Sequence, residues 1–195
     1  MSSMSSKLVS VVQYTSQLLT GTKTTKEVLG LNPTASSREL KSELINFFSE
    51  RLFNEIYGLD KNANESNAYP SILSQVAYVM KEKFIHPPAE AIQKLKIEKY
   101  RLGLNPNASD AVVYAFEIKR DLKDMLETII EDVHGVKIPQ TLSNKDELYA
   151  YLKKETAIVL RERHNRFKSM TDDEIYKRRI NSALNITIKY IHGAA

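Results

Sequence analysis

This chain of 195 residues contains no cysteine and no tryptophan, and only six glycines and six prolines. Without thiols there are no disulfides, no thiolate metal ligands and no cysteine nucleophile, and the redox compartment stays open. The few Gly and Pro residues fall between stretches of helical periodicity, which argues against a turn-rich β architecture and for an all-α fold. No run approaches the roughly 18 apolar residues of a membrane-spanning helix, so no membrane span is expected. The lead segment "MSSMSSKLVSVVQYTSQLL" interrupts its apolar residues with Ser, Gln, Tyr and Thr and carries a single Lys. It reads as a mature segment, not a signal peptide.

Apolar residues make up 42% of the chain, which suffices for a core. The formal net charge of +4 is spread unevenly. Residues 1–26 carry Lys7, Lys23 and Lys26 and no acid, together with eleven Ser or Thr. Residues 101–150 hold six basic and nine acidic side chains, a net of −3, whereas residues 151–195 hold ten and five, a net of +5. Cationic ends around an acidic middle suggest a polyanionic partner for the ends.

Apolar spacing predicts helices over 6–20, 36–57, 70–84, 88–102, 110–133, 143–168 and 171–191. The hydroxyl-rich "GTKTTK" at 21–26 reads as a flexible connection, and "VKIPQTL" at 136–142 as a short connector able to adopt extended backbone. Thr171 with Glu174 has the spacing of a capping box, while Ser143 with Asp146 and Asn144 with Glu147 compete to open the helix after the connector. Gly135 is expected to end the long helix before it.

One nine-residue phrase occurs twice: "LGLNPTASS" at 29–37 and "LGLNPNASD" at 102–110, with seven identities. Each copy explains itself chemically. Gly30 can take positive φ and close the preceding turn, and Gly103 closes the second corner in the same way. Pro33 and Pro106 push the preceding Asn out of helical geometry. Ser36, with Glu39 three residues on, forms a capping box, and Ser109 caps the second long helix. The segments 29–58 and 102–135 therefore form a pseudo-repeat, from duplication or from convergence on a good corner. The phrase "VLGLNPTASSREL" is also similar to the opening of a J-domain, but the His-Pro-Asp signature of that domain is absent and "HPP" at 86–88 stands in another context.

Catalytic chemistry finds little support. The four histidines, at 86, 134, 164 and 192, show no metal-ligand spacing, Glu39/Glu43 and Glu127/Glu131 share helix faces without a histidine, and no Gly-rich phosphate loop occurs. Neither an enzyme, a cofactor, a metal nor a small-molecule substrate is expected. The densest charge feature is "RERHNRFKS" at 161–169 followed by "YKRR" at 176–179. Arg161, Arg163, Arg166, Lys168, Lys177, Arg178 and Arg179 lie on two helices joined by a turn, so a hairpin would gather them into one cationic end suited to phosphate contacts. The bland alternative is a solvated helix end. No pattern suggests base reading.

A cysteine-free, tryptophan-free helical chain of this size, with a hydroxyl-rich arm leading into a bundle, resembles the major coat proteins of filamentous and rod-shaped archaeal viruses. That resemblance implies an N-terminal arm, residues 1–35, that wraps double-stranded DNA without sequence preference, and a bundle of about six helices, residues 36–195, that packs against further copies or a paralogous subunit within a virion. By matching character, Lys7, Lys23, Lys26, Arg38 and Lys41 would face phosphate. Glu39, Glu43, Glu50 and Glu55 on the same helix depart from such a role. The rival expectation is a cytoplasmic helical adaptor that binds a partner helix in an apolar groove and no nucleic acid.

Overall fold

The longest amphipathic stretch of the sequence becomes the axis of the fold. The computed structural model describes residues 22–59, 69–83, 88–137 and 141–193, which build an all-α protein with one minimal sheet. In chain order the elements are β1 (Lys23–Thr24), α1 (Thr25–Leu29), α2 (Ser37–Tyr57), α3 (Pro70–Lys83), α4 (Pro88–Arg101), α5 (Asp110–Lys137), β2 (Thr141–Leu142), α6 (Lys145–Arg163), a 3-10 turn (Asn165–Phe167) and α7 (Asp172–His192). The expected helix over 6–20, with Lys7, lies outside the described residues.

Helix α5 repeats apolar residues every three or four positions, and Ala111, Ala115, Ile118, Leu122, Leu126 and Ile130 are all buried. It touches α2, α3, α4, α6 and α7, and so sits at the centre. Helix α2 runs antiparallel to it, pairing Glu50 with Lys119 at 2.8 Å and Lys41 with Glu127 at 3.6 Å. Helix α7 is antiparallel as well: its last residue, His192, meets Tyr114 near the start of α5, with Nε2 and the hydroxyl 2.6 Å apart. The ring of Phe48 on α2 packs against Tyr149 on α6 and Tyr176 on α7, with centroids 5.8 and 6.1 Å away. Each such fully buried aromatic contributes roughly 1.5–3 kcal/mol of apolar transfer energy.

Several boundaries differ from the sequence expectations. The supposed flexible connection at 21–26 is structured from Thr22 onward: Lys23 pairs with Leu142 and Thr24 with Thr141 in an antiparallel ladder. Thr24 and Glu27 then form a capping box that opens α1, whose Val28 and Leu29 join the core. Residues 22–35 consequently belong to the body and not to an extended arm. Helix α5 runs through Gly135 to Lys137, and part of the connector is extended, as β2. Helix α6 ends at Arg163, five residues early, because the chain turns to bury Phe167. Asn144 wins the cap of α6, its side chain accepting from the N–H groups of Asp146 and Glu147, while Ser143 N–H donates to the Glu147 carboxylate at 2.6 Å.

The two copies of the nine-residue phrase adopt one conformation. Gly30 and Gly103 have φ of +78° and +66°. Leu31 N–H donates to Lys26 carbonyl and Leu104 N–H to Lys99 carbonyl, both at 2.8 Å, closing matched Schellman ends. Asn32 and Asn105 then accept with their side chains from the N–H two residues on, at 2.9 and 2.8 Å. Even the lysine one turn upstream is reused: Lys26 Nζ donates to the carbonyls of Pro33 and Ala35, and Lys99 reaches Asp110 at 2.7 Å.

Neither glycine has a neighbour that a Cβ would meet, so an alanine there suffers only from its backbone. Gly30→Ala and Gly103→Ala should each cost about 1–2 kcal/mol, nearly additively, in urea unfolding. A loss confined to one of the two would mean that the corners are not energetically equivalent.

Candidate polyanion interface

The cationic residues singled out from the sequence fall into two groups, and a third charged feature lies apart from them. In the first group Lys26, Arg161 and Lys41 already use their charge internally, while Lys23 and Arg38 stay exposed. Lys26 clamps its own corner, and Arg161 donates to the Met170 carbonyl at 2.9 Å and pairs with Asp172. Lys41 pairs with Glu127. Lys23 is exposed on β1, opposite Leu142 of β2. Three of the four acids of α2 that sat badly with a phosphate-facing role are also spoken for: Glu39 caps Ser36, Glu50 pairs with Lys119, and Glu55 takes Lys153 at 2.6 Å and the hydroxyl of Tyr149. Arg38 is exposed at the rim of a shallow depression of about 360 Å³ that Lys41, Lys123, Asp124 and Glu127 share.

The second group forms the α6–α7 corner. The early end of α6 and the 3-10 turn place Phe167 in the core and leave Arg166 and His164 packed on its ring, 4.8 Å and 5.5 Å from its centroid. From α7, half-buried Arg179 directs its Nε at the sulfur of Met125, 2.8 Å away. The three acids in the first turn of α7 are committed elsewhere: Asp172 to Arg161, Asp173 to Lys153 at 2.8 Å, and Glu174 to the N–H and hydroxyl of Thr171. Among the described residues no ion pair neutralises Arg166, Lys168, Arg178 or Arg179. Exposed Lys177 stands four residues after Asp173 and three after Glu174, and helps to hold both carboxyls down. Arg163 is exposed at the end of α6.

The net field at this corner is positive, and two groups register it. His164 has its pKa lowered by partial burial and then by Arg166, Arg179 and Arg163; Arg179 is lowered by burial and then by Arg166. A half-buried guanidinium facing a thioether, with like charges around it, is an arrangement that an incoming anion relieves.

The third feature was missed by the sequence reading. Two carboxylates, Glu98 on α4 and Glu117 on α5, are each only 1% exposed. Arg101 joins them, its Nε donating to Glu98 and its Nη2 to Glu117. Arg120 pairs with Glu117 from the other side, and Tyr190 on α7 donates its hydroxyl to Glu98 at 2.6 Å while Lys94 stands 3.4 Å from the same oxygen. Burial pushes Glu98 up, but the hydrogen bonds from Tyr190 and Arg101 outweigh it and leave its pKa lowered. For Glu117 burial prevails over Arg120 and Arg101, and its pKa is raised. The sequence traces were helical spacings alone, (i, i+3) for Glu98 with Arg101 and Glu117 with Arg120 and (i, i+4) for Lys94 with Glu98, which ordinary surface pairs share.

No protein-family model, curated protein or solved structure matches the chain. Among the described residues no helix is long and apolar enough to cross a membrane.

Two measurements follow from this electrostatic layout. Arg101→Gln leaves two buried carboxylates short of a partner and should cost about 2–4 kcal/mol, below the full value for a buried pair because the guanidinium is itself half in water. Both carboxylates then favour the protonated form, so the loss should be greatest at neutral pH and shrink toward about pH 4, as acid neutralises them. A pH-independent loss would mean that Arg101 acts by packing alone. In the second, His164 followed by NMR should rise in pKa when duplex DNA is added, because phosphate cancels the cationic field, and binding should take up protons accordingly. An unmoved His164 would place the duplex elsewhere.

Proposed function

We propose that this chain is a structural subunit that coats double-stranded DNA through sequence-independent phosphate contacts and associates with further copies or a paralogous subunit, in the manner of the archaeal viral coat proteins it resembles, so that its place is the virion. The supporting observation is the α6–α7 corner, where Arg166, Lys168, Arg178 and Arg179 stand without carboxylate partners among the described residues while the nearby acids of α7 are committed elsewhere. Such a surface attracts a phosphate backbone by charge and counterion release and reads no base. The DNA-facing role moves with it: Lys26 and Lys41 drop out as phosphate ligands, and the corner takes over from residues 22–35. A few weak contacts per subunit suffice, because a polymer adds them along the duplex.

A second reading has its own observation. Tyr78 on α3, Ile92, Ile97 and Tyr100 on α4 and Ile186 on α7 are large apolar side chains at least half exposed, and Tyr100 reaches 89%. Under the coat reading these are the side chains that neighbouring subunits cover; under the rival one they receive a partner helix and the protein is an adaptor.

Binding of the full chain to random-sequence duplex DNA, measured against salt, separates the two. The coat reading expects log K to fall linearly with log salt, and Arg166→Ala with Arg178→Ala, both exposed, to reduce the slope by about one per lost phosphate contact, with only a small drop in thermal melt from the lost Arg166 contact with the Phe167 ring. Negative stain should show long particles. A monodisperse monomer that ignores duplex DNA at low salt would leave the adaptor reading in possession.

A further inference from the structure

The ion network joining α4, α5 and α7 does more than fasten helices, because it faces a cleft. Residues at the end of α4, the first half of α5 and the adjoining part of α2 enclose about 460 Å³, within the range of small-molecule sites. Arg101 and Arg120 stand at this cleft with their side chains 46% and 47% exposed, while the carboxylates that hold them are 1% exposed. Each guanidinium has five N–H donors in a fixed fork. Among the described residues Arg101 uses only Nε and Nη2, and Arg120 only Nη2. Both therefore keep donors to spare on a group that cannot swing away, since Glu117 grips the two of them and Glu98 grips Arg101 again. Arginines anchored from beneath by buried carboxylates, with free donors on the solvent side, are pre-organised for an oxyanion.

The remaining lining refines the ligand. Lys119, paired with Glu50, and Lys123 stand beside the two arginines on the same lining. A phosphomonoester, with three acceptor oxygens, engages the unused donors of two guanidinium forks more fully than a carboxylate with two. Phe116, 46% exposed on α5, offers a bare aromatic face at the same cleft. A flat ring laid against it would be held by stacking, as bases are on exposed aromatics.

We infer that the cleft between α4 and α5 binds a phosphomonoester with a flat aromatic body, a nucleoside monophosphate being the simplest member of the class: phosphate on the Arg101–Arg120 pair, ring on Phe116. The same group can arrive as a free nucleotide or as the 5′-phosphorylated end of a nucleic acid. This site is separate from the α6–α7 corner, and it implies binding without turnover.

Calorimetric titration of the full chain with adenosine monophosphate, inorganic phosphate and adenosine tests it. The nucleotide should bind at least about tenfold more tightly than either fragment, since only it uses both halves of the cleft. Phe116→Ala, at an exposed position, should bring the nucleotide down to the affinity of inorganic phosphate, and Arg120→Lys, which keeps the charge but loses the fork, should weaken nucleotide and phosphate alike by about tenfold. Lys123→Ala, on an exposed side chain away from the buried carboxylates, should lower affinity for both with an unchanged melt and serves if Arg120→Lys fails to fold. A short duplex carrying a 5′-phosphate, compared with its unphosphorylated twin, identifies the source: competition by the phosphorylated end alone points to nucleic-acid termini, and absence of competition to the free nucleotide. Equal affinity for nucleotide and inorganic phosphate, or indifference to Phe116→Ala, would overturn the proposal. The Arg166 and Arg178 replacements should leave nucleotide binding untouched, so the failure of one site is not mistaken for failure of the other.

Discussion

Two carboxylates buried beneath one guanidinium are the constraint on which the second half of this fold depends. Helix α4 has a modest apolar face, with Ala91 and Leu95 inside and Ile92, Ile97 and Tyr100 left in water. Apolar burial alone would hold it weakly. What fixes it is Glu98, which cannot stay buried as an anion unless Arg101, Tyr190 and Lys94 meet it, and Arg101 in turn must reach Glu117 on α5. A buried charge is a costly group to strand, so the network acts as a register pin: any slide of α4 along α5 or α7 would leave at least one carboxylate without its partner. Position is thereby specified more sharply than the apolar contacts could specify it.

The repeated corner shows the opposite economy, in which the local chain settles its own geometry. Every feature that makes Leu29–Ser37 and Leu102–Asp110 alike acts within a few residues: a glycine at positive φ, a proline that ends helical geometry, an asparagine that accepts from the backbone two residues on. Local chemistry of this kind is legible in sequence, which is why the starts of α2 and α5 and the end of α4 agree with it, although the short helix α1 that ends at Gly30 was not expected. The long helices, the capping boxes of Ser36 and Thr171 and the all-α class were legible on the same ground. The connector at 21–26 was not, because its ordering comes from a partner strand more than a hundred residues away, at Thr141–Leu142. Nor was the early end of α6, which follows from where Phe167 finds a buried seat.

The charges divide along the same line. Counting Lys and Arg located a basic end correctly but could not say which of its members were spent. Arg161 and Arg179 look alike in the sequence, yet one faces Asp172 and the other a methionine sulfur. Lys26 seemed part of a phosphate-seeking arm, and its role became apparent only beside Lys99, which holds the second corner from the equivalent place. Glu98 and Glu117 resembled ordinary members of surface (i, i+3) pairs, since nothing in a single helix reveals that another helix will cover it.

Two kinds of cationic surface emerge, and physics treats them differently. At the α6–α7 corner exposed side chains gather positive charge without a carboxylate to order them, so their attraction is long-ranged, tolerant of geometry and weakened by salt over a Debye length of about 8–10 Å. A repeating polyanion suits that surface, because register along its backbone is immaterial. At the α4–α5 cleft the arginines are braced by buried anions that cancel most of their charge, leaving direction instead of reach. Such donors gain little from a distant phosphate and much from one that fits. The buried acids that seem to oppose anion binding in the cleft are therefore what makes it selective, since they remove the general attraction and leave only the geometric one.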